Sequence, residues 1–220
     1  MASAEMAVNS QWQPTPSSRY GKEEIITLLV GAEETEMVAL ASCISLHSEF
    51  FRTALKKEWA EGQTRTIKLP EEQPAIVAQY LDFTVGKGLP TDSTRMDPQE
   101  GEVYVVLARL YAFGERMLDS ALRNTIIAEI IRFTRVVSIN GRTVWPGLEP
   151  ISTIYNCTTP GSPARRLMVD LYVHAASTTW FTDDMHPAFM RDLAEALMLQ
   201  VQNSHLPCRV YLRPAEEYSF

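Results

Sequence analysis

Cysteine is scarce and scattered. The three residues, Cys43, Cys157 and Cys208, lie far apart, so no disulfide framework of a small secreted domain can be drawn, and a reducing compartment is expected. Positive charge is also in deficit. The formal net charge is −7, with 14 Lys/Arg against 19 Asp/Glu before Val136 and 6 against 8 from there on. Neither half offers the basic surface that drives nucleic-acid binding. No stretch approaches the ~18 consecutive apolar residues of a membrane span. Met1–Tyr20 carries no basic-then-apolar leader. Gly86-Lys87-Gly88 has neither a third glycine nor a helix signal behind it, so no nucleotide loop is read there. The expectation is a soluble intracellular protein, cytoplasmic or nuclear, without nucleic acid or membrane as partner.

What is present is an ordinary core-forming composition, 45% hydrophobic and 21% charged over 220 residues, enough for one sizeable core and a satellite. Ile25–Leu69 is the most informative stretch. Its opening run IITLLV is short, aliphatic and closed by Gly31, which predicts a strand buried on both faces. A polar break at Ala32–Glu36 and the run MVALASCISL follow. From Ser48 the period becomes helical, with Phe51, Leu55 and Trp59, or alternatively Phe51, Ala54 and Leu55, on one face and Arg52, Lys56, Lys57 and Glu58 on the other. Thr64–Leu69 then alternates, placing Arg65, Ile67 and Leu69 together. The order read is strand, strand, helices, strand.

Five segments are expected along the chain: a disordered arm (1–20), a folded domain (21–135), a Pro/Gly-rich connection (136–163), a helical extension (164–201) and a tail (202–220). Pro74, behind the acids Glu71 and Glu72, predicts a helix start, and Ile76, Val77, Tyr80, Leu81 and Thr84 continue it toward Gly86. Leu89–Glu100 is a polar connector. Val103, Val106, Leu107, Leu110 and Tyr111 make one helical stripe. After a break near Gly114 and a short link, GERM, a second stripe runs through Leu118, Ala121, Leu122, Ile126, Ile130 and Phe133. Ala164–Thr179 is amphipathic, with Arg165, Arg166 and Asp170 outside. His186–Val201 turns Phe189, Met190, Leu193, Ala194, Leu197 and Met198 inward, and Arg209–Leu212 reads as a short strand. The fold class is α+β with an all-helical C-terminal extension.

Candidate chemistry is thin. Cys43 and His47, four apart, pair with His205 and Cys208 in a drawable zinc set, but no C-x-x-C anchors it, and Cys43 reads better as a small buried hydrophobe. His174 falls on an amphipathic helix and reads as a polar or packing position. Asp183-Asp184 before His186 suits a helix start. Glu33, Glu34 and Glu36 suit a solvated turn, and Arg165-Arg166 a solvated helix face. No nucleophile, base and orienting group are framed together, so no catalytic residue, metal site or cofactor is assigned. The chain reads as an interaction protein and not as an enzyme.

The residues resemble a known family, the BTB/POZ domains, and in particular stand-alone fungal members. The likeness rests on the strand ending Val30-Gly31, the box Ser48-Glu49-Phe50-Phe51-Arg52, Trp59-Ala60-Glu61, Ile67-Lys68-Leu69-Pro70 and the Val77–Phe83 helix. Leu110–Glu115 and Leu122-Arg123-Asn124 are similar to the family's closing helical pair. Ile154-Tyr155-Asn156, Thr159-Pro160 and Arg165–Asp170 are similar to the extension of the fungal subset. Glu23 and Glu24 stand near the position where the family has an Asp before its first strand, and Leu40 stands where it has a histidine at the second strand's end.

The resemblance implies the BTB/POZ fold, a small mixed sheet flanked by helices, and a role in protein binding through self-association or partner docking. In this family a hydrophobic-x-Glu triplet after the Phe box marks domains that dock cullin-3 as ubiquitin-ligase substrate adaptors, and Trp59-Ala60-Glu61 fits it. Leu55, Trp59 and Glu61 are the implied partner-binding residues, with the Val77–Phe83 helix beside them. An equal reading has Trp59 closing the core and Glu61 merely solvated. A small Cys/His metal protein or enzyme, and a BTB-type transcriptional co-regulator, stand as alternatives.

Overall fold

The computed structural model describes residues 24–89, 101–136, 143–175, 177 and 180–202. The arm at 1–20, residues 90–100 of the connector, and the tail with its expected strand at Arg209–Leu212 lie outside the described residues. Among the described residues the chain is a mixed α+β protein of three strands and nine helices. None of these helices is long and apolar enough to cross a membrane.

Strands β1 (Ile25–Val30) and β2 (Thr35–Leu40) form an antiparallel hairpin in which Val30 faces Thr35. Gly31 takes φ +77°, a left-handed conformation that favours glycine, while a Cβ there would meet the Glu72 carbonyl oxygen only at ordinary contact distance, 3.4 Å. Strand β3 (Thr66–Leu69) lies parallel on the other side of β1, giving the order β2-β1-β3. One face of this sheet is core: Ile26, Leu28, Val30, Ala39, Ile67 and Leu69 are buried. The other is not. Ile25 is 61% and Val38 66% exposed, so β1 is buried on one face, not on both. An aliphatic run reads as two-sided burial in sequence, but among the described residues no layer covers that second face.

Between β2 and β3 come α1 (Ala41–His47), α2 (Glu49–Ala54) and α3 (Ala60–Thr64). The expected single face of Phe51, Leu55 and Trp59 does not exist, because the helix stops at Ala54. Phe51 is fully buried, Leu55 is half-buried, and Trp59 is 54% exposed. Helix α4 (Pro74–Thr84) starts at its proline and buries Ile76, Val77 and Tyr80.

Helix α5 (Glu102–Arg116) runs straight through Gly114. That glycine is a close-packing position, since a Cβ would stand 3.1 Å from the Leu122 and Arg123 side chains. The link to α6 (Ser120–Phe133) is therefore Met117–Asp119 and not GERM. Leu118 does not join the α6 stripe, being left-handed at φ +51° and exposed.

A buried polar joint fixes this corner. The Ser48 hydroxyl caps α2 by accepting from the Phe51 amide at 3.1 Å and donates to the Met117 carbonyl at 2.6 Å. Asp119 caps α6 by accepting from the Leu122 amide at 2.9 Å, and the Tyr80 hydroxyl donates to it at 3.1 Å. Both caps are fully buried. Burial and the adjacent carboxylate push the Tyr80 phenol well above its usual range, so it stays a donor.

Residues 136–163 contain more than a connection. Helix α7 (Leu148–Cys157) starts behind Pro146-Gly147, buries Ile151, Ile154 and Tyr155, and packs on α5. Helix α8 (Pro163–Ala175) follows. Its Arg165 is buried, not outward as the pattern implied: the guanidinium lies 4.5 Å from the centre of the Tyr155 ring and donates to the Tyr155 carbonyl at 2.7 Å and the Thr158 hydroxyl at 2.9 Å. Helix α9 (Pro187–Gln202) buries Phe189 and Leu193, whereas Ala194, Leu197 and Met198 are exposed rather than inward.

Candidate functional site

The candidate site forms where α2 ends and the chain turns toward β3. Trp59 is extended, φ −101° and ψ 151°, and its amide donates to the Lys56 carbonyl at 3.0 Å. The short helix α3 then folds back tightly. A Cβ on Gly62 would lie 2.1 Å from the Lys56 carbonyl oxygen, so only glycine lets α3 sit on that backbone. With α3 seated, Trp59 cannot continue the face of Phe51 and is turned outward. Arg65 closes the helix in the left-handed region, φ 57°, and its guanidinium pairs with Glu24 at 2.6 Å.

The result is a groove of about 810 Å³. Its apolar floor comes from Phe50 and Ala54 of α2, Trp59, Ile67 of β3 and Leu118 of the α5–α6 link. Glu49 and Glu61 also line it, as do Thr66 and Lys68 of β3. The adjacent phenylalanines divide their work. Phe51 stacks on Tyr80, ring centres 6.0 Å apart, inside the core, while Phe50 meets it edge-on at 5.2 Å and stays half-buried in the groove. Lys68 is ion-paired with Glu34 at 2.7 Å. Among the described residues the Glu61 carboxylate is in no ion pair.

Trp59 and Glu61 thus share one groove. Leu55 does not line it: it ends α2, with its amide on the Phe51 carbonyl at 3.0 Å. No residue of the Val77–Phe83 helix lines it either, and Val77 and Tyr80 are core. Phe50, Leu118 and Gly62 were the parts that sequence reasoning did not assign. Gly62 gave a faint signal, a glycine directly after the Trp-Ala-Glu triplet. The outward Leu118 gave none, because its left-handed backbone follows from the buried joint beside it.

The remaining candidates are dispersed. Cys43 is half-buried and His47 exposed on α1, and His205 and Cys208 lie outside the described residues. Among the described residues no three His, Cys, Asp or Glu side chains gather as a metal site would need. His174 is exposed on α8. Asp183 and Asp184 are exposed, and the His186 ring nitrogen Nδ1 accepts from the Ala188 amide at 3.2 Å, which caps the start of α9. Burial pushes the Cys157 thiol up to about 11, so it is almost wholly protonated and a poor nucleophile at neutral pH. A second cavity, about 550 Å³ between α8 and α9, mixes Arg165, Arg166 and Arg191 with Asp170, Asp192 and Glu195. No family model matches the chain, and a search of curated proteins finds no match.

Proposed function

We propose that this chain is a protein-interaction module of the BTB/POZ type that docks a partner at the Trp59 groove, with cullin-3 as the partner and ubiquitin-ligase adaptor as the role. The observation that carries the reading is an indole, 54% exposed, standing in an apolar groove beside a carboxylate that is in no ion pair among the described residues. A rigid aromatic at the centre of a concave apolar surface is the usual anchor of a docking site. The neighbouring carboxylate gives orientation and charge selectivity. Both belong to the Trp59-Ala60-Glu61 triplet on which the resemblance to cullin-binding members rests.

The experiment is capture of cullin-3 by purified protein, unaltered and carrying Trp59→Ala or Glu61→Lys, with thermal unfolding measured alongside. Capture is expected to fall at least tenfold in each variant while the melting temperature stays within a few degrees. Capture retained by both variants overturns the cullin assignment.

Self-association is a second part of the proposal, favoured by the open face of the sheet. Ile25 and Val38 lie on the same face of adjacent strands and are both largely exposed. A second copy covering that face would remove both from water. Light scattering after size exclusion is expected to give a dimer that Val38→Glu converts to monomer, and a monomer at micromolar concentration removes this part.

A further inference from the structure

We propose that the occupant of the Trp59 groove is an extended segment, alternating basic and apolar residues, that adds to β3 as a fourth strand. This rests on the docking reading above and specifies the shape and charge of what docks. The backbone of β3 supplies the first argument. The Arg65 and Leu69 carbonyls accept from the amide of Thr27 in β1 and that of Gly31 just after it, at 2.9 and 3.0 Å. Successive residues of a strand turn their backbone groups to opposite sides, so Arg65, Ile67 and Leu69 face β1. The amides and carbonyls of Thr66 and Lys68 therefore face away from it. Among the described residues no strand pairs on that side, and Thr66, Ile67 and Lys68 are lining residues of the groove.

That geometry separates strand from helix as the occupant. Anything that fills the groove displaces water from the outward groups of Thr66 and Lys68. A helix has already spent its own amides and carbonyls internally and would leave those groups buried and unpaired, without the hydration they lose. A strand restores the bonds while its alternate side chains enter the apolar floor.

Charge supplies the second argument. Lys68 is the cation of the lining, and Glu34 neutralises it at 2.7 Å. Glu49 is held only loosely by Arg52, at 4.0 Å with both side chains exposed, and Glu61 is in no ion pair among the described residues. The groove is left net acidic, so Lys or Arg on the incoming strand complements it.

The test uses the full chain and a labelled, capped octapeptide of alternating Lys and Val, with binding followed by fluorescence anisotropy. Binding is expected, and N-methylation of every peptide amide should weaken it at least tenfold. Lys68→Pro removes one outward amide without touching the β1 ladder, and should weaken binding at least fivefold even though it frees the Glu34 carboxylate, which favours a basic peptide. Lys68→Ala, which deletes only the charge, should leave binding equal or tighter. No binding by the plain peptide, or binding indifferent to N-methylation, overturns the strand. If Lys68→Pro fails to fold, the N-methylated peptide against the unaltered protein still decides. Cullin-3 capture that depends on Trp59 but not on the Lys68 amide sinks the strand alone and leaves the docking reading standing.

Discussion

Helices α5 and α9 have similar lengths and similar supplies of apolar residues, yet they occupy opposite conditions. α5 lies among α4, α6 and α7, and Val103, Tyr104, Leu107, Ala108, Leu110, Tyr111 and Phe113 are all buried around its circumference. Among the described residues α9 packs chiefly on α8 and α7, through Phe189 and Leu193, and its last two turns leave Leu197, Met198, Leu199 and Val201 exposed. An apolar stripe announces which face of a helix prefers to be inside. How much of it gets there depends on how many neighbours arrive, and that is decided by residues far away in the chain.

The sharpest way to break the contrast is in α5. Phe113 is fully buried, with its ring centre 4.9 Å from that of Tyr80. Phe113→Ala should cost about 3–5 kcal/mol of unfolding free energy in urea titration. A cost under about 1 kcal/mol would mean α5 is not the centre of the core. Next is Asp119→Ala at the joint, which removes the α6 cap and strands the Tyr80 hydroxyl. A loss of about 2 kcal/mol is expected, most of it from the buried phenol left without an acceptor. Asp119→Asn, whose single amide oxygen can keep the Leu122 cap while its Nδ2 donates to the Tyr80 hydroxyl oxygen, should recover part of that loss.

A smaller effect should appear with alkali, and it belongs to the α8–α9 side. Tyr172 donates to the Pro146 carbonyl at 3.0 Å, and burial pushes its phenol up to about 12. An unfolded tyrosine titrates near ~10, so the fold favours the neutral form. That contribution is complete below pH ~10 and is lost as pH climbs toward ~12. Urea midpoints should therefore fall between about pH 9 and about pH 11. Tyr172→Phe should narrow the difference without abolishing it, since Tyr80, Tyr111 and Tyr155 are raised in the same direction. The smallest effect should come from Met198→Ser, which touches no core and should stay within ~0.5 kcal/mol. A cost above 1 kcal/mol would mean that the end of α9 is covered in solution.

Much of the architecture was legible because local chemistry dictates it. Gly31 ends β1, Pro74 starts α4, and the alternation of Ile67 and Leu69 marks β3. The failures have one cause. Leu55 does pack against the core with Phe51, but Trp59 leaves that face, because a period assumes an unbroken helix and the break depends on Gly62 meeting the Lys56 backbone. Gly114 read as a breaker because glycine is costly in helices, yet here it makes room for Leu122 and Arg123. Arg165 read as solvent-facing because charge usually is. The Tyr155 ring and carbonyl and the Thr158 hydroxyl and carbonyl, brought in by α7 and its C-terminal end, make its burial tolerable. As for the groove, Trp59 and Glu61 were visible as residues, but Phe50 and Leu118 joined them only through the fold.

Composition and pattern alone determined that this chain would be mixed α+β, with a small early sheet and a helical remainder, since strand and helix periods, turn glycines and caps act within a few residues of themselves. Tertiary structure decided which apolar residues stay in water. Whether Ile25, Val38, Trp59 and Met198 are core or surface turns on which elements pack over them, and burial is a property of neighbours that no residue carries in its own identity.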